Sequence, residues 1–109
     1  MVNYDGRRFR NTAYAADEAP LAIYRQQGDL LWGDFAGGDV RRGSLTGVSD
    51  VDGILDFTYT MVLADGEVVA GRCHSEPLVL DDGRIRLVET WERYGDGAST
   101  GVSELEEVR

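Results

Sequence analysis

The chain has 109 residues, 42% of them apolar and 9% aromatic, enough for one domain with a core and not for a second. Twenty acidic against eleven basic residues give a net charge of -9, which argues against nucleic acid or an anionic membrane as a partner. Every basic residue is arginine, which leaves no lysine for Schiff-base chemistry, and one cysteine (Cys73) and one histidine (His74) leave no intrachain disulfide and no cysteine or multi-histidine metal cage. No run approaches the ~20 apolar residues of a membrane helix. The first residues, Met1 to Asp5, show no basic-then-apolar leader. The expectation is a cytoplasmic protein with no metal and no cofactor.

Apolar residues alternate with polar ones at a period of two along most of the chain, with turn signals between the runs. The pattern predicts about eight strands, at 6–12, 20–27, 29–36, 39–49, 54–64, 67–80, 84–94 and 100–108. The interval 13–19 is the only helix-like stretch, and it reads as a loop or a single turn. Gly37-Gly38, Asp52-Gly53, Asp65-Gly66 and Asp82-Gly83 are hairpin signals. Strands joined by tight hairpins are antiparallel neighbours. A meander of eight exposes two edges unless its first and last strands pair, so the predicted fold is all-β, an up-and-down meander closed into a small barrel. An open sheet folded over on itself is the alternative.

Treating those signals as two-residue turns sets the register, and register decides which side chains face inward. Leu31, Phe35, Val40, Val48, Leu55, Phe57, Tyr59, Met61, Leu87 and Trp91 then share the interior. Arg42, Arg72, His74, Glu76, Glu89 and Arg93 fall on the same face, with Tyr24 joining them if Gln27-Gly28 is also a tight turn. Cys73 falls outside. So many polar groups inside need partners. Three readings follow. One is an internal ion-pair network filling a solid barrel that acts as an interaction module. Another is a non-catalytic ligand cavity. The third is an acid–base site in which His74 shuttles the proton, Glu89 orients it and Tyr59 donates a hydroxyl. In the second and third, Arg42 and Arg72 would hold an anionic group, while Tyr24, Phe57 and Trp91 would wall a small organic ligand. Pro77 marks a bulge that could shift parity on its strand. Outside, Leu30, Trp32, Leu45 and Ile54 form an apolar patch, a candidate homodimer contact.

Several segments together resemble a family of small bacterial proteins of about this length. They are Asn3-Tyr4 with Arg7–Arg10, Tyr24–Gly28, Gly37-Gly38 followed by Gly43–Gly47, Gly71–Pro77, Gly83–Glu92 and Ser103–Glu107. Members are commonly labelled "N-acetylglutamate synthase". The chain lacks the Gln/Arg-x-x-Gly-x-Gly/Ala loop that cradles a coenzyme A pyrophosphate, so acetyl transfer is not expected of it. The resemblance implies a lipocalin-like (calycin) barrel.

Overall fold

A computed structural model describes residues 2–109. Its strands are β1 (Arg8–Asn11), β2 (Leu21–Gln27), β3 (Leu30–Gly37), β4 (Val40–Ser49), β5 (Leu55–Leu63), β6 (Val68–Val79), β7 (Ile85–Arg93) and β8 (Ser99–Val108). Each pairs antiparallel with the next, and β1 pairs with β8 from Arg8↔Val108 to Asn11↔Leu105. The sheet is therefore a closed up-and-down barrel, as the sequence predicts, and the open alternative is set aside. The stretch between β1 and β2 holds one turn, with the Glu18 and Ala19 amides both donating to the Ala15 carbonyl.

All three Asp-Gly signals make turns one residue longer than the simplest hairpin. The Gly66 amide donates to the Leu63 carbonyl and the Leu63 amide to the Glu67 carbonyl, which places Ala64, Asp65 and Gly66 in the loop. Asp50–Ile54 and Leu80–Arg84 repeat this bonding. The glycine takes the left-handed conformation that closes such a loop, with φ of 89° at Gly66 and 85° at Gly83. The preceding aspartate accepts from the amide two residues on, at 2.9 Å for Asp65 and Glu67 and 3.0 Å for Asp82 and Arg84.

The extra residue inverts parity across each turn. Phe57 lies opposite Cys73, not His74, and Trp91 also lies opposite Cys73. The two inversions around β6 cancel, so β5 and β7 face as expected while β6 is turned over. Gly71, Cys73 and Ser75 point inward, and Arg72, His74 and Glu76 point to solvent. β4 is inverted in the same way beyond Val40, because a bulge at Arg41–Arg42 inserts one residue against β5. Gly43, Leu45 and Ser49 are buried, and Arg42, Ser44, Thr46 and Val48 are exposed. Seven expectations are corrected by these facts: Arg42, Val48, Arg72, His74 and Glu76 are outside the barrel, and Leu45 and Cys73 are inside it. On the outer surface Val48, paired with Leu30, takes the place assigned to Leu45 beside Trp32, while Ile54 is half-buried in the turn before β5.

One end of the barrel is sealed. Residues 2–7 run to the end that carries the β2–β3, β4–β5 and β6–β7 turns. The Tyr4 ring is fully buried there, and its hydroxyl donates to the Gly53 carbonyl at 2.6 Å. The Tyr4 amide donates to Gln26 Oε1 at 2.9 Å, and Gly6 donates to the Tyr24 carbonyl at 2.8 Å. Tyr4, Phe9 and Tyr24 form a three-ring cluster with centroids 4.9–6.3 Å apart. Leu31, Leu55, Ile85 and Leu87 are buried with them. The Arg7–Glu107 ion pair (2.8 Å) sits at this end with Glu107 buried and Arg7 partly exposed, and Glu107 also accepts the Ile85 amide at 3.0 Å.

Candidate functional site

Above that seal the barrel is hollow. A cavity of about 250 Å³ opens toward the other end, where Tyr14 and Pro20 of the β1–β2 connection stand at its mouth. Its walls come from inward positions of nearly every strand: Phe9, Ala22, Tyr24, Phe35, Leu45, Phe57, Tyr59, Met61, Trp91 and Leu105. Small residues make room for these rings. A Cβ on Gly43 would collide with the Phe35 ring, and one on Gly101 with the Trp91 indole. The alternation of strands therefore produces a mostly apolar, aromatic chamber with a few polar groups, which is the composition of small-molecule sites. Its volume lies just below the usual ~300–1,000 Å³ and suits a molecule of one or two rings.

The polar groups fall into two sets. At the mouth, the Arg93 guanidinium lies over the Trp91 ring, 5.7 Å from its centroid. The Trp91 indole N–H donates to Ser103 Oγ at 3.0 Å, which fixes the ring against β8. Deeper, Glu89 on β7 lies opposite Ser75 on β6, and the Ser75 hydroxyl donates to Glu89 Oε2 at 3.2 Å. Cys73 is buried one inward position away on β6, and Tyr24 faces the same space from β2.

Electrostatics in this deep set follow from burial. Desolvation holds the Glu89 carboxyl above its ordinary range, and the Ser75 hydroxyl and Cys73 thiol beside it pull part of the way back. The Cys73 thiol is pushed up by burial and then by the Glu89 charge. Tyr24 is raised by burial and by the same carboxylate, and Tyr59 by burial. A carboxyl whose folded-state pKa is raised favours the fold at low pH, and that contribution is lost as pH rises through the raised value. Glu89→Gln is therefore expected to raise the thermal midpoint at pH 7. The gap between variant and wild type should close as pH falls below the ordinary 4.5. Melts at pH 7 and pH 4 check this; a variant that melts lower at pH 7 would show Glu89 to be well compensated.

Of the residues singled out in the sequence, Tyr24, Phe57, Tyr59, Glu89 and Trp91 meet around the cavity. His74, Arg72 and Arg42 do not. On the outer face the His74 Nδ1 lies 3.1 Å from Asp56 Oδ1, with the Arg72 guanidinium 4.0 Å from the same oxygen. Arg42 pairs with Asp34 at 3.5 Å, also in solvent. Ser75 and Cys73 take the interior places assigned to Glu76 and His74. Their signal was present: along 71–76 small residues alternate with Arg72, His74 and Glu76, and a charged series at period two belongs outside.

A family model described as "Avidin-like protein" matches residues 2–108, nearly the whole chain. No curated protein and no solved structure matches it.

Proposed function

Because this chain belongs to the avidin-like protein family, we propose that it is a non-catalytic binding barrel that takes one small, largely apolar planar molecule into its interior. The observation that carries this reading is the aromatic chamber itself, sealed at the Tyr4 end and open at the Tyr14 end. A chain built only as a solid module would fill that space with side chains. Here three glycines, Gly43, Gly71 and Gly101, face Phe35, Tyr59 and Trp91, and the rings lie back against the backbone. The family membership supports the same reading.

The acid–base alternative loses its proton shuttle, since it needs the His74 ring inside beside Glu89 and the ring is on the outer face. The remaining interior hydroxyl and thiol groups, Tyr24, Tyr59 and Cys73, hold their protons more tightly than usual. Such groups are poor bases and nucleophiles near neutrality.

Indole is a suitable neutral probe in an amide and indole N–H NMR titration. Saturable shifts are expected at Trp91, Ser103 and Cys73, with the outer Trp32 indole unmoved. Shifts confined to Trp32, or none at millimolar probe, would contradict interior binding.

A further inference from the structure

We propose that the deep end of this cavity is built for the cationic nitrogen of an organic amine or amidine, with Glu89 as its counter-ion. This rests on the small-ligand reading above and names the ligand's chemistry. The barrel interior encloses two carboxylates, and their surroundings differ. Glu107 has a cation of its own, Arg7 at 2.8 Å, and accepts a backbone amide as well. Glu89 has only the neutral Ser75 hydroxyl at 3.2 Å and the Cys73 thiol. Among the described residues no arginine is within ion-pair distance of it. Arg93 shares its strand and face but lies four residues nearer the mouth, about 13 Å along the strand, stacked on Trp91.

A second polar group, the Tyr24 hydroxyl, lies near enough to Glu89 to feel its charge and is free to bond a ligand. The Tyr24 side chain is 1% exposed and lines the cavity, and among the described residues no protein group hydrogen-bonds its hydroxyl. A protonated nitrogen between the two would pair its charge with Glu89 and turn a second N–H toward the Tyr24 oxygen. An aromatic wall suits a cation too, because a ring attracts positive charge to its face, and Phe57 lines the cavity. The net charge of -9 draws cations toward the molecule before they reach the mouth. An anionic head group would meet the opposite field at that depth.

The groups around Glu89 are Ser75 and Cys73 from β6, Tyr24 from β2 and Ser103 from β8, with Tyr59 and Arg93 level with each other nearer the mouth. None of the neutral ones becomes charged between pH 4 and pH 7, and Arg93 stays charged throughout. Glu89 is then the carboxyl lining the cavity whose titration sets the response of the site in that range, Glu107 lying outside the lining and paired with Arg7.

Three probes of one shape decide the matter: benzamidine (cation), benzamide (neutral) and benzoate (anion), each titrated calorimetrically at pH 7. Benzamidine is expected to bind at least about tenfold tighter than benzamide, as a charge-assisted pair should, with benzoate weakest. Glu89→Gln should bring benzamidine to within about twofold of benzamide while leaving benzamide nearly unchanged. In wild type the same preference should shrink on acidification to pH 4, because benzamidine stays charged and Glu89 gains a proton; this arm holds even if the variant does not fold. Equal binding of benzamide and benzamidine, tighter binding of benzoate, or a preference indifferent to Glu89→Gln would overturn the proposal and leave the binding barrel standing. If none of the three binds while indole does, the cation proposal falls and the binding barrel stands; if indole fails as well, both readings fall.

Discussion

Replacing Tyr4 with alanine is expected to destabilise the protein by about 3–5 kcal/mol, the range for deleting a fully buried aromatic ring. Domains of this size have about 5–15 kcal/mol in total, so the variant should be partly unfolded at 37 °C. The ring has no exposure and touches both Phe9 and Tyr24, and its hydroxyl is held by the Gly53 carbonyl on the opposite side of the barrel end. Tyr4→Phe keeps the ring and removes that hydrogen bond, at a cost of about 1–2 kcal/mol. Urea unfolding of the two variants separates ring from hydroxyl. A Tyr4→Ala midpoint within about 1 kcal/mol of wild type would mean that residues 2–7 do not seal the barrel.

Phe57→Ala is expected to cost about 3–5 kcal/mol in the same assay. Its ring is 5% exposed, meets Tyr24 edge-on at 6.5 Å, and lies under Gly47 of the neighbouring strand. Because Phe57 also walls the cavity, part of its surface already borders open space, which favours the lower half of that range. The same substitution widens the chamber, so indole binding should weaken through lost contact even at temperatures where the variant stays folded. A loss of less than about 1 kcal/mol would remove Phe57 from the core.

The barrel could be read from the sequence because it follows from features that tolerate small errors. Strand runs, turn positions and the need to close a meander's edges do not depend on register. The site does depend on it. An Asp-Gly pair serves a two-residue hairpin and a three-residue one equally well, since both need a glycine at positive φ. A two-residue loop turns β6 over, exchanges His74 for Cys73 and Glu76 for Ser75, and so puts the histidine in the chamber; the three-residue loop puts Cys73 and Ser75 there. The extra residue before β6 and the one after it cancel, which is why Phe57, Tyr59, Glu89 and Trp91 face the interior under either loop length. On β4 the bulge at Arg41–Arg42 acted likewise, moving Arg42 out and Leu45 in. Each inverted strand carried its own correction: charged residues at period two in β6, and Gly43, Leu45 and Gly47 against Arg42, Ser44 and Thr46 in β4. A strand's own alternation is therefore the safer guide to facing when a turn admits two lengths.

The central claim is that the space inside the barrel is a binding site, and a crystal structure of the protein grown with indole tests it most directly. One planar molecule is expected inside the barrel, in contact with Phe57, Tyr59 and Trp91, with Cys73 and Ser75 facing it and His74 in solvent against Asp56. A chamber filled by the protein's own side chains, or indole bound only on the outer face beside Trp32, would contradict it.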